Sequence, residues 1–155
     1  MLNQTVVKLG LDICHALGQR KDIHGAIKES NVSLVDGAYV LGPAKESGML
    51  CGGDISCMAP EIYWGEGCDQ KADIYALGLL LYAKLNDGCL PLIEPGFDEK
   101  QRRAAHLRRL EGEAFSPSRR GNPALQQVVM KACAYEPIQR YADISELEQA
   151  LQEVV

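Results

Sequence analysis

The sequence predicts a mainly α-helical fold, a bundle of helices around one buried central helix at about 71–85, with a single small β-hairpin at about 32–41. Three features predict it. The first is the run Ala72–Tyr82, which is apolar almost all round and reads as a helix with no solvent face. It is too short to cross a bilayer, and Asp73 lies in its first turn, so it is expected as the axis of a core. The second is a set of further segments with apolar residues at helical spacing. The third is Asp36-Gly37 between the short apolar runs Val32–Val35 and Tyr39–Leu41, a strong signal for a two-residue hairpin turn.

Taken in order, residues 2–18 place Val6, Leu9, Ile13, Ala16 and Leu17 on one helical face, with Gly18 as the expected stop. The hairpin follows a polar loop, His24–Asn31. A Met-Ala-Pro-Glu turn at Met58–Glu61 and a glycine-rich loop around Gly65 and Gly67 lead into the central helix, which should begin at Lys71 or Ala72. Asn86-Asp87-Gly88 ends it. A helix is expected over Phe97–Leu110, carrying Arg102, Arg103, Arg108 and Arg109 on a solvated face. Asn122-Pro123 caps the next helix, whose buried stripe is Leu125, Val128, Val129, Ala132 and Cys133. Asp143 and Glu146 suggest a capping box on the last helix, with Ile144, Leu147 and Leu151 facing inward.

Asp73 is favoured by the free N–H groups of the first helical turn, but a buried carboxylate also needs a specific partner elsewhere in the chain. With 155 residues, 46% of them hydrophobic, the chain is the size of one domain and has the means to build a core. A formal net charge of −5 argues against general affinity for nucleic acid or acidic membranes, and the arginines have no interleaved aromatic residues for stacking on bases. No stretch reads as a signal peptide or a membrane span, so the expected address is the cytosol. The six cysteines are then expected as reduced, small apolar residues without disulfides. Cys51 and Cys57 are the closest pair, and no Cys/His spacing fits a metal site, so no metal is expected.

Ala59-Pro60-Glu61 followed by Asp73-Ile74-Tyr75-Ala76-Leu77-Gly78 resembles the end of the activation segment and the central helix of the large, C-terminal lobe of a eukaryotic-like Ser/Thr protein kinase. The final stretch from Lys131 to Leu151, with Arg140 ahead of the last helix, resembles the close of the same lobe. His24–Asn31, HGAIKESN, is similar to the catalytic loop usually written HRDxKxxN. The resemblance covers nearly all of the chain and about the second half of a kinase. It implies that Arg140 pairs with Glu61 and that Asp73 holds the backbone of the loop.

It also implies a damaged active site. The family's catalytic Asp falls on Ala26, its phosphate-steadying Lys on Lys28, its magnesium-binding Asn on Asn31, and its Arg on Gly25. The second strand leads to Pro43 where the metal-binding Asp would stand. Alanine has no acid–base chemistry, and proline offers neither a ligand oxygen nor an N–H. Lys28 and Asn31 keep the right side chains, beside the plainer reading of a solvated lysine and a turn-forming asparagine. Lys45–Cys57 would be a short activation segment, with Ser47 and Ser56 its hydroxyls and Asp54 read as a loop acid. No glycine-rich phosphate loop, strand lysine or paired helix glutamate occurs in the sequence, so residues 1–155 are expected to be one large lobe without its ATP-binding small lobe.

Three functions stay open on this reading. The chain is expected to be a non-catalytic, pseudokinase-like module that binds a protein partner, or itself, through the surface a small lobe would cover. In that case no cofactor is expected. The second is a Ser/Thr kinase using ATP and magnesium, with its small lobe supplied by another segment or chain. The third is a gene remnant.

Overall fold

The computed structural model describes residues 1–45 and 54–154; Ser47 and Cys51, and most of the expected activation segment, lie outside the described residues. Six α-helices and one hairpin are present among them, in the order α1 (Leu2–Gly18), β1 (Val32–Val35), β2 (Ala38–Leu41), α2 (Pro60–Tyr63), α3 (Gln70–Lys84), α4 (Glu99–Leu110), α5 (Pro123–Ala132) and α6 (Ile144–Glu153). Short 3₁₀ turns at Glu29–Asn31 and Pro137–Gln139 precede β1 and α6. The chain is mainly α.

Helix α3 is buried at every position from Ala72 to Ala83. Helix α5 packs on it directly, α1 and α6 pack on each other and both reach it. Gly78 lets α5 approach: a Cβ there would stand 2.7 Å from Cys133 Sγ and 2.9 Å from Ala132 Cβ. Helix α1 also carries the hairpin, where the Tyr39 N–H donates to Asp12 Oδ2 at 3.0 Å. The strands pair antiparallel in the register Val32↔Leu41 to Val35↔Ala38. Asp36 and Gly37 both take positive φ, 50° and 82°, as a two-residue turn matched to the strand twist requires.

Several boundaries differ from expectation because of caps. Asp69 accepts the Lys71 N–H at 2.8 Å, so α3 starts at Gln70, one residue early, and ends at Lys84. The fourth helix starts at Glu99 rather than Phe97, because Asp98 and Gln101 form a reciprocal capping box that spacing alone did not reveal. At α6 only half of the expected box exists. Asp143 accepts the Glu146 N–H at 2.8 Å, while the Glu146 carboxylate lies 4.0 Å from Lys131 Nζ. Gly18 is the last residue of α1 rather than a left-handed stop; Gln19 follows it in right-handed helical geometry. Among the described residues no cysteine is in a disulfide, and no helix is long and apolar enough to cross a membrane.

Candidate functional site

The loop His24–Asn31 is held from below by α3. The Asp73 carboxylate accepts the His24 N–H on Oδ2 at 2.7 Å and the Gly25 N–H on Oδ1 at 3.0 Å. Burial pushes the Asp73 carboxyl above its ordinary value, against the pull of those two N–H groups and of His24. The partner that a buried carboxylate at this position needed is therefore the loop backbone, 48 and 49 residues away in sequence.

His24 is the second anchor. Its Nδ1 accepts the Ala26 N–H at 3.1 Å, which leaves Nε2 protonated to donate to the Gly42 carbonyl at 2.9 Å. The Lys45 N–H donates to the His24 carbonyl at 2.9 Å, so the segment after β2 is tied to the loop at two points. Asn31 adds a third. Its side-chain amide donates to the Ala26 carbonyl at 2.9 Å and to the Pro43 carbonyl at 3.1 Å. A Cβ on Gly42 would stand 2.1 Å from Asn31 Oδ1, so only glycine fits beside it. Gly25 sits at φ 78°, a conformation that L side chains rarely adopt, so an arginine at this position would be strained.

The structure thus gathers His24, Ala26, Lys28, Asn31 and Pro43 at one place. Ala26 contributes only backbone, and Pro43 only a carbonyl. Lys28 Nζ lies 3.4 Å from Asp54 Oδ2, and Asp54 Oδ1 accepts the Ser56 N–H at 2.9 Å. Burial would raise the Asp54 carboxyl, but Ser56 and Lys28 outweigh it and hold the group below its ordinary value. Asp54, expected as a plain loop acid, is the counter-ion of the loop lysine. Between them and Leu80 and Ala83 of α3 lies a cleft of about 190 Å³.

The second cluster joins the two ends of the region. Arg140, fully buried, forms a bidentate pair with Glu61, Nη1–Oε2 at 2.7 Å and Nη2–Oε1 at 2.9 Å. Its other N–H groups donate to the carbonyls of Lys71, Ala134 and Tyr135, so all five guanidinium donors are used. The guanidinium also stands 4.7 Å from the Tyr75 ring centroid. Burial, with Arg109 pulling the other way, pushes the Tyr75 hydroxyl up to about 12.

Arg109 corrects the reading of α4. Instead of lying on a solvated face with its three neighbours, it is 1% exposed. It donates to the carbonyls of Ile55 (2.9 Å), Ser56 (3.2 Å) and Met58 (2.9 Å) and to the Tyr75 hydroxyl (2.7 Å). It therefore fixes the segment ahead of α2 against α3. The signal was present in the stripe Ala105, Arg109, Leu110, all buried, but a charge normally outweighs such a pattern. His106, beside it, is pushed down to about 4 by burial and by Arg109, so it is neutral near pH 7.

No protein-family model matches the chain. Over 96 residues, 61% of its length, it is 40% identical to the serine/threonine-protein kinase PknD of Chlamydia muridarum, and over 99 residues, again 61%, it is 41% identical to PknD of Chlamydia trachomatis. Over 110 residues, 71% of its length, it is 36% identical to the serine/threonine-protein kinase Pkn1 of Myxococcus xanthus. These stretches are 10%, 10% and 15% of the relatives, so the chain spans roughly a tenth of the length of the curated proteins it matches. The chain contains a region similar to serine/threonine protein kinases.

Proposed function

We propose that the chain is a kinase-like large lobe that has kept the frame of the catalytic loop and lost its chemistry, and that it works as a protein-binding module. One observation carries this reading. Asp73 and His24 hold the loop in place and the Glu61–Arg140 pair ties α2 to the segment ahead of α6, yet the two positions that should supply carboxylates are Ala26 and Pro43. Phosphoryl transfer depends on positioned charge, and a frame without those charges supplies only a surface.

The remaining side chains do not fit a magnesium–nucleotide complex. Lys28 is paired with Asp54, and both Asn31 amide hydrogens are engaged, one on Ala26 and one on Pro43. Of the oxygen ligands that the resemblance calls for, only the Asn31 carbonyl oxygen is left, and it is turned against Gly42. The hairpin that follows the loop exposes Leu34 (62%), Val35 and Val40, apolar surface of the kind a partner covers.

The relatives' names favour a second reading, a segment of a working Ser/Thr kinase whose other parts come from elsewhere. Thermal unfolding of the purified chain, with and without ATP and magnesium, separates the two. A single transition that nucleotide leaves in place is expected. A midpoint raised by several degrees would mean that the folded state binds nucleotide, since only such a ligand stabilises it, and would overturn the first reading.

A further inference from the structure

Three aromatic side chains meet at the C-terminal end of α4. Trp64 Nε1 donates to the Leu110 carbonyl at 2.8 Å, and the Tyr135 hydroxyl donates to the same oxygen at 3.2 Å. Tyr63 meets Trp64 edge-on, ring centroids 5.1 Å apart. An orphan carbonyl at a helix end thus anchors the polar tips of two rings whose bodies face water. Trp64 is 50% exposed, and Tyr63 and Tyr135 are exposed beside it.

The exposed charge at this corner that is left without an ion pair has one sign. Glu111 follows Leu110, Glu136 follows Tyr135, and Glu66 stands two residues beyond Trp64. All three are exposed, and none has an ion pair among the described residues. Arg109, next in sequence to Leu110, is buried, and the nearest exposed cation, Arg108, is taken by Glu113 at 3.1 Å. The negative end of the α4 dipole points the same way.

We infer that this corner, Tyr63, Trp64 and Tyr135 with Glu66, Glu111 and Glu136, is a docking surface for an arginine-rich segment of a partner protein. A guanidinium stacks on Trp and Tyr faces and pairs with carboxylates in the same approach, which suits it to this combination better than an ammonium. An acidic or nucleic-acid partner is repelled by the three unpaired carboxylates. None of these six side chains hydrogen-bonds to the His24–Asn31 loop among the described residues, so the inference stands whether or not that loop transfers phosphate.

The test is fluorescence anisotropy of a labelled twelve-residue Arg/Ser/Gly peptide titrated with the full chain. Saturable binding is expected, weakened at least ten-fold by the triple variant E66Q/E111Q/E136Q and similarly by Trp64→Leu. It should also weaken with added salt, and with lysine in place of arginine. A remote triple variant, D22N/D36N/E99Q, changes the net charge equally and should leave binding intact. Unfolding midpoints of all variants are to be matched first; should Trp64→Leu fail to fold, Tyr63→Ser replaces it. Absent binding, equal loss in the remote triple, or equal binding of a Glu/Ser/Gly peptide would each overturn the inference. So would undiminished binding after arginine is replaced by glutamine, which would make the patch merely apolar.

Discussion

Arg109 is a buried cation whose hydrogen bonds, among the described residues, go to three carbonyls and a tyrosine hydroxyl rather than to a carboxylate. Burying a charge in this way is tolerable only because nearly every donor finds an acceptor and the Tyr75 ring lies 5.4 Å from the guanidinium carbon. Removing it strands the carbonyls of Ser56 and Met58 and leaves Ile55 with only the Met58 N–H. At about 1–3 kcal/mol for each buried acceptor left unpaired, Arg109→Met should cost about 3 kcal/mol or more in urea unfolding. Arg102→Ala, on the same helix, removes one exposed bond to the Phe97 carbonyl and should stay within about 0.5 kcal/mol. Equal small losses would show that Arg109 is not a structural anchor. The four arginines of α4 look alike in sequence because burial is decided by what lies opposite, and Ile55–Met58 is more than 50 residues away. Asp73, by contrast, was legible as a residue needing a partner, from its place in an otherwise apolar helix. Its actual partners, His24 and Gly25, came only with the family resemblance.

Helices were read most securely where the pattern was longest. The unbroken apolar run of α3 left no face for water, and the buried stripe of α5 fell where spacing put it. Ends were read less well, because a cap is decided by one side chain reaching one N–H, as Asp69 and Asp98 do. Closeness between helices was not readable either, since nothing in the run Ala76-Leu77-Gly78-Leu79 says which position faces α5. The structure assigns that contact to Gly78, and the same substitution at two glycines tests it. Gly78→Ala drives a methyl into Cys133 and Ala132 of the facing helix end. Overpacking of this kind costs about 1–3 kcal/mol, more than the gain of about 1 kcal/mol from better helix propensity. Gly18→Ala adds a methyl with no other atom within 4 Å at the end of α1, and should stabilise by up to about 1 kcal/mol. Urea midpoints moving in opposite directions are the expected result; a stabilised Gly78→Ala would mean that α3 and α5 do not pack this closely.

At the scale of the whole molecule, the order of elements followed from the sequence, while the way they close on one another did not. Helix α1 opens the chain and packs on α6 near its end, and α6 packs on α5. A single cluster of buried residues runs from Val6 to Leu151. Such an arrangement should open as one unit rather than shed its first helix, because α1 covers apolar surface contributed by late elements. Two thiols report on that core from helices far apart in sequence. Cys14 on α1 and Cys133 at the end of α5 are buried, and each is pushed up to about 12, chiefly by burial. The thiolate is the reactive form, so at pH 8 neither should react while the protein stays folded. Exposed Cys68 should be labelled at once by an aromatic disulfide reagent. Cys14 and Cys133 should follow slowly and at one shared rate, set by global unfolding. Mass spectrometry of digested, time-quenched samples reads each cysteine separately. If Cys14 reacted well before Cys133, α1 would be an independently opening element, and the cooperative core described here would end at the hairpin.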